Sequence, residues 1–181
     1  VMQDNSGIFW VLDGLSIFKE NPRKKQFNAF KYPTTNKDNI LSDSINALLE
    51  DSHKNLWIGT ANGLAVLDRS LQKLAIYRHS KKNTQTISDN HIVAMFEDSN
   101  KNIWISSKGG IDKWNSKNKT FTRIMEGSGG PVSEDKNGII WLTLNEKSVH
   151  IIDENGNKKE LMISEKKQLS IIFHDSKRNT W

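Results

Sequence analysis

Apolar residues along this chain fall in short runs, each closed off by Asn, Asp, Gly, Ser or Lys, and no segment sustains a capped helical period. Between residues 45 and 77 the runs are 45–49, 55–59, 64–67 and 74–77. The same order returns at 92–96, 103–105, 111–114 and 121–124. An earlier set occupies 9–11, 15–18 and 27–30, a later one 140–142, 149–152 and 161–163, and another opens at 169–173. Short runs rich in Ile, Val, Leu and aromatics between turn residues predict strands, with four strands to each unit.

A fixed pair marks every unit. Asp4 precedes Trp10 by six residues, and the spacing is repeated in Asp51 and Trp57, Asp98 and Trp104, Asp135 and Trp141, and Asp175 and Trp181. The intervals between these Trp residues are 47, 47, 37 and 40 residues. Four short strands in a unit of about forty residues is the arithmetic of a β-propeller blade. A parallel β-helix repeats over fewer residues, and helical repeats would need a helical period. The expected fold is therefore all-β: a propeller fragment of about four blades, four antiparallel strands each, with the ring not closed. The expected organisation is one partial propeller over 1–181, with blades at 1–40, 41–88, 89–126 and 130–164 and the start of another at 165–181. The chain opens and closes inside repeats, which predicts partial ends and two uncovered blade faces.

The turn between the first two strands follows a rule. Three residues before the Trp stands Gly7, Lys54, Lys101, Gly138 or Arg178, followed by Ile8, Asn55, Asn102, Ile139 or Asn179. Gly is paired with Ile, and Lys or Arg with Asn. One residue at positive φ would explain this, with Gly supplying it at the first position or Asn at the second. The leading Asp is expected to accept a backbone N–H two residues on. Gly14, Gly63 and Gly110, ahead of the third strand, are expected to have a similar backbone role, with Ser148 in their place in the fourth unit.

Composition narrows the chemistry. The absence of Cys excludes thiolate metal ligands, cysteine nucleophiles and disulfides. No apolar run approaches the length of a membrane span. The formal net charge is +5, but the lysines are scattered through turns, as in Lys24-Lys25, Lys81-Lys82, Lys158-Lys159 and Lys166-Lys167. A nucleic-acid surface would gather Arg and aromatics on one element, so dispersed, solvated lysines are expected and no nucleic-acid contact.

The run from Asp98 to Asn102 imitates the start of a calcium loop, but Ile103 holds the sixth position and Gly109 the twelfth, so no metal site is expected. The Trp residues could suggest a saccharide-stacking platform. Five of them, however, occupy one repeat position, and Trp114 aligns with Phe18, Leu67 and Ile152, so packing between blades is the expected role. His53, His79, His91, His150 and His174 show no metal-ligand spacing, although His79 and His91 bracket one connection. No catalytic motif occurs, and the recurring Glu-Asp pairs belong to a turn rather than to a dyad.

The stretch from Glu50 to Asp68 resembles the two-component-regulator propeller repeat, E-D-x-x-G-N-L-W-I-G-T-x-x-G-L-x-x-Y-D. The copy at 97–115 keeps Glu97, Asp98, Asn102, Trp104, Gly110 and Ile111, with Ser106-Ser107 for Gly-Thr and Asn115 for the closing Asp. The copy at 134–153 keeps Glu134, Asp135, Gly138, Trp141 and Asp153. The resemblance implies a segment of the periplasmic sensor of a Bacteroidetes-type hybrid histidine kinase, in which seven-bladed propellers precede a small β-sandwich. It implies an oligosaccharide ligand, control of glycan-utilisation genes by phosphotransfer, a homodimeric parent, and the parent's other blades and C-terminal signalling domains as partners. It implies no cofactor and no catalytic residue in this segment. Streptogramin-lyase-like propellers, which are enzymes, share a related D-G-N-x-W-F turn but continue with an N-x-I-G-R-I third strand, where this chain has Gly63-Leu64-Ala65-Val66-Leu67-Asp68. A propeller fused to a diguanylate cyclase is the remaining alternative.

Overall fold

The computed structural model of the chain describes residues 2–4, 8–12, 17–21, 26–30, 40, 44–70, 74–146 and 148–162. Gly7, Asp175, Trp181 and the unit expected at 165–181 lie outside them. The described residues form strands and turns, arranged as four four-stranded sheets in which each strand pairs with its neighbour in sequence. The first sheet holds β1 (Met2–Gln3), β2 (Phe9–Leu12), β3 (Ile17–Asn21) and β4 (Gln26–Phe30). The second holds β5 (Ile45–Glu50), β6 (Leu56–Thr60), β7 (Gly63–Leu67) and β8 (Leu74–Tyr77). The third holds β9 (Ile92–Glu97), β10 (Ile103–Ser107), β11 (Gly110–Asn115) and β12 (Thr120–Glu126). The fourth holds β13 (Gly129–Glu134), β14 (Ile140–Leu144), β15 (Ser148–Ile152) and β16 (Lys158–Met162). All pairings are antiparallel. This is an all-β propeller fragment, four blades in an unclosed row.

The second strand of each of the two middle blades is covered on both faces, to which its successive side chains point in turn. Leu56 and Ile58 of β6 pack with Trp10 of the preceding blade, while Trp57 between them packs with Ile92, Ile103, Ile105 and Phe121 of the following one. In β10, Ile103 and Ile105 face back in the same way, and Trp104 packs forward on Ile140, Leu142 and Ile152. Trp10, Trp57 and Trp104 are 3%, 3% and 4% exposed. Trp141, on the forward face of the fourth blade, is only half-buried. Near the innermost strands the blades close tightly: a Cβ on Gly59 would stand 2.5 Å from Ile92 of the next blade.

The Asp of the marker pair carries the buried end of each Trp. The indole N–H donates to the carboxylate six residues back, at 3.1 Å from Trp10 to Asp4, 2.8 Å from Trp57 to Asp51, 2.8 Å from Trp104 to Asp98 and 3.1 Å from Trp141 to Asp135. The same carboxylate gathers the turn's backbone: Asp51 accepts the N–H groups of His53 at 2.9 Å and Asn55 at 2.8 Å. An aromatic with a polar tip is thus buried without stranding its N–H.

The turn rule is corrected in one respect. The positive φ belongs to the first position throughout the described copies: Lys54 has φ 67°, Lys101 φ 67° and Gly138 φ 78°. Asn55 and Asn102 are not at positive φ; their side chains serve instead. The Asn55 amide donates to Asp51 at 2.8 Å, and the Asn102 amide donates to Asp98 at 2.7 Å. Lysine in the left-handed region costs about 1–2 kcal/mol, and this added hydrogen bond to a carboxylate offsets it. Glycine carries no such cost, so Ile139 can follow Gly138 without an amide. A further copy of the turn, not singled out from the sequence, joins β15 to β16. There Gly156 has φ 81° and Asp153 accepts the Asn157 amide at 2.8 Å, with no Trp to serve. These bonds hold the Asp153 carboxyl below its ordinary range.

The recurring Glu next to the marker Asp joins adjacent blades. Glu97 accepts the Ser52 N–H at 2.8 Å and its hydroxyl at 2.7 Å, and Glu134 accepts the same two groups of Ser99 at 2.7 Å and 2.7 Å.

Candidate functional site

The blade junctions widen into crevices on the rim that carries the Asp turns, and two of them can be compared position by position. In β6 and β7 Trp57 is registered against Val66. Across the junction β11 and β12 present Trp114 beside Phe121. Trp114 meets Trp57 edge-on at 5.7 Å, Tyr77 at 5.1 Å and Phe121 at 4.8 Å between ring centroids, and Tyr77 also touches Phe121 at 5.3 Å. Trp57, Tyr77 and Trp114 wall a crevice of about 470 Å³ between the second and third blades, while Phe121 is buried against them. Cavities of roughly 300–1,000 Å³ accommodate small ligands.

Polar groups edge the aromatic wall. Asp51, Asp68 and Glu97 line the crevice, as do Lys101 and Lys119. The acceptors are largely engaged: Asp51 by its own turn, Glu97 by Ser52, and Asp68 by the Ser70 hydroxyl at 2.7 Å. The Tyr77 hydroxyl makes no hydrogen bond among the described residues. As a phenol it is a donor at neutral pH, and burial pushes its pKa further up, above the ordinary 10.0.

The matching crevice between the third and fourth blades is smaller, about 190 Å³. Lys113 stands where Val66 stands in the second blade, and its ammonium lies 5.2 Å from the centre of the Trp104 ring. Lys158 takes the place of Phe121 and donates across the junction to the Ile124 carbonyl at 2.6 Å. The Lys113 side chain thus fills space that the smaller Val66 leaves open at the preceding junction.

Of the residues marked in the sequence, Asp51 and Trp57 line the larger crevice and Asp98 and Trp104 the smaller one. Asp4 and Trp10 belong to the first junction, and Asp135 and Trp141 to the forward side of the fourth blade. Gly63 and Gly110 stand at the opposite ends of these blades, on the rim of the long connections. Gly63 has φ 129° and lies close against the Tyr77 carbonyl, where a Cβ would come to 2.8 Å. Tyr77, Phe121 and Lys119 were not singled out from the sequence, and Trp114 was read there only as packing. It is half-buried and faces the crevice. The available signal was a cluster of aromatics confined to one junction.

The opposite rim holds a different polar cluster. Asp112 is fully buried and accepts the Ser88 N–H at 2.6 Å and the Ser88 hydroxyl at 2.6 Å. Arg123 donates to the Ser88 oxygen at 2.7 Å and lies 3.8 Å from the Asp112 carboxylate. Burial pushes the Asp112 carboxyl above its ordinary value, while the Ser88 hydrogen bonds and the nearby Arg123 and His79 pull it down. The cluster pins the 79–91 connection to the third blade. The His79 ring meets the Ile87 carbonyl at 2.8 Å. Among the described residues no group of three His, Asp or Glu is placed to hold a metal ion.

Comparison with known proteins locates this architecture. Residues 39–62 and 86–109 match the family model described as two component regulator propeller. No curated protein matches the chain. Among solved structures, virginiamycin B lyase from Staphylococcus aureus is 14% identical with a TM-score of 0.74, over 99% of this chain and 60% of that one. PorZ, a surface component of the type-IX secretion system of Porphyromonas gingivalis, is 16% identical with a TM-score of 0.64, over 88% of this chain and 26% of that one. An extracellular domain from B. thetaiotaomicron, described as part of a hybrid two component system, is 15% identical with a TM-score of 0.52, over 92% and 31%. The chain spans about 60% of the length of the lyase it matches. At these identities the likeness is one of fold. Both family matches cover a connection, an inner strand and a marker turn; Val66, Tyr77 and Trp114 of the crevice lie outside them. Two stretches of the chain, on successive blades, thus match the two component regulator propeller repeat, within an unclosed row of four blades.

Proposed function

We propose that this chain is a ligand-sensing segment of an extracytoplasmic two-component sensor, without catalysis of its own. The observation that carries the reading is the family match on two successive blades, at residues 39–62 and 86–109. The fold likeness to an extracellular domain of a hybrid two component system supports it. In this reading the blades recognise an oligosaccharide outside the cytoplasm. The signal passes to further blades and C-terminal signalling domains of a dimeric parent, and phosphotransfer adjusts transcription of glycan-utilisation genes. The test is to delete the parent gene and follow transcripts of neighbouring glycan-degrading enzymes on a series of glycans. The expected result is loss of induction on one of them; an unchanged profile on every glycan would overturn the sensor role.

A second reading, a lyase-like enzyme, is favoured by the overlay on virginiamycin B lyase. Against it, the third strand of the second blade reads Gly63-Leu64-Ala65-Val66-Leu67-Asp68 where the lyase-like propellers continue with N-x-I-G-R-I. Incubating the chain with quinupristin and following its consumption by mass spectrometry separates the two readings, with no consumption expected.

A further inference from the structure

We infer that the crevice between the second and third blades is a subsite for one ring of a neutral saccharide. The inference rests on the sensor reading and deepens it by giving the ligand a place and a charge class. Sugar rings carry one apolar face of C–H groups and a belt of hydroxyls. They are matched by sites with an aromatic wall and a few polar groups at its edge. Here the wall is Trp114 with Tyr77 and Trp57, and the crevice holds about 470 Å³.

The polar edge sets the charge class. Asp51, Asp68 and Glu97 line the crevice against Lys101 and Lys119, so carboxylates outnumber ammonium groups. A uronate or sulfated ring would meet uncompensated negative charge, whereas a neutral polyol gains from both signs. The Tyr77 hydroxyl, which has no hydrogen-bond partner among the described residues, is the donor left to be satisfied. The next junction acts as an internal control. It repeats the same strand positions, yet with Lys113 in place of Val66 the crevice between the blades holds about 190 Å³, below the roughly 300–1,000 Å³ of ordinary ligand sites.

The test is calorimetric titration of the chain with cellotetraose, maltotetraose, xylotetraose and mannotetraose, with trigalacturonic acid as the acidic probe. Binding of at least one neutral oligosaccharide is expected, and none of the acid. Val66→Lys installs the lysine of the neighbouring junction over Trp57 and should weaken binding by about tenfold or more. Tyr77→Phe keeps the ring and removes only the hydroxyl; it should weaken binding by about three- to tenfold. The near-UV spectrum of each variant reports whether its aromatic packing is intact, and the near-isosteric Tyr77→Phe keeps the question open to refutation if Val66→Lys fails to fold. Neutral-glycan binding unchanged by Tyr77→Phe and by any folded Val66→Lys would overturn the crevice while leaving the sensor reading intact. Preference for trigalacturonic acid would overturn the charge class. Binding of none of the probes would overturn the inference for this chain, and the transcript profile would then decide the sensor role separately.

Discussion

At the junction of the second and third blades Trp57 lies beside Val66 and looks across to Trp114; at the next, the corresponding Trp104 lies under the Lys113 ammonium and looks across to Ile152. Buried packing around the two Trp rings is alike, and so are the Asp turns and the Ser–Glu links. The difference is confined to the outer part of the third strand and the start of the fourth. The repeat therefore separates two tasks within one blade. The first two strands and their turn fix how blades stack, and the last two are free to decide whether a junction is filled or open. Function on a propeller of this kind can change at one junction without disturbing its neighbours, much as loops vary on a rigid scaffold.

If stacking is equal at the two junctions, Trp57→Ala and Trp104→Ala should each cost about 3–5 kcal/mol in urea unfolding, the ordinary range for emptying a large aromatic from a core. The Trp57 variant should also lose ring contact with Trp114, visible in the near-UV spectrum. A Trp57 cost near zero beside a full Trp104 cost would mean that the open junction is not packed and would end the comparison.

The turns sharpen it next. Asn102→Ala removes the amide that holds the Asp98 carboxylate and should cost about 1.5–3 kcal/mol, because the acceptor is charged and nearly buried. Asn55→Ala should match it. Lys101→Val forces a β-branched residue to φ 67° and should destabilise as well, whereas Lys101→Gly should stabilise by up to about 1 kcal/mol. Stability gained by Lys101→Val in a denaturant melt would contradict the left-handed assignment.

These turns also show what could be read in advance. The Asp and Trp recur in every copy at one spacing, so their shared position was plain. The pairing of Lys with Asn and Gly with Ile gave the need for one left-handed residue and placed it correctly at Gly138, but in the Lys-Asn copies the Lys takes it and not the Asn. Sequence alone cannot distinguish an Asn chosen for its backbone from one chosen for its amide. The Ser52–Glu97 link was hidden because its partners are 45 residues apart and in different blades. The crevice was hidden for a deeper reason. It depends on Val66 against Lys113 and on Trp114 against Ile152, differences between copies, and aligning repeats to find what they share discards such differences.

A smaller effect separates the junctions by pH. Asp112, at the open junction, holds the Ser88 connection from a fully buried carboxyl whose pKa is raised, chiefly by burial. A raised carboxyl binds its proton more tightly in the folded state. Its contribution is therefore fully present below the ordinary value of 3.8 and is lost as pH rises through the raised one. The groups facing it are Ser88, Arg123 and His79. Asp112→Asn should carry a constant cost for its lost acceptor, but its stability should fall less steeply with rising pH just above 3.8 than that of the unaltered chain. Parallel pH profiles of the two proteins would show that Asp112 keeps an ordinary pKa.

The smallest effect tests whether the two junctions are fastened alike. Ser52 and Ser99 each donate a backbone N–H and a hydroxyl to a glutamate of the next blade, at nearly the same distances. Both serines are exposed, so solvent competes for the same acceptor. Each Ser→Ala change should cost about 0.5–1 kcal/mol, and the two costs should agree. Their consequences for the crevices should not. Glu97 lines the open crevice, and Ser52→Ala frees one of its oxygens there while the backbone N–H still holds the other. A neutral saccharide gains an acceptor from this, so Ser52→Ala should preserve or tighten glycan binding even as it loosens the fold slightly. Ser99→Ala frees Glu134 beside the smaller crevice, where Lys113 fills the space, so it should leave binding unchanged. Weaker binding in Ser52→Ala, at equal stability cost, would mean that the glutamate acts on the junction's geometry rather than on the occupant, and that opening and fastening are coupled after all.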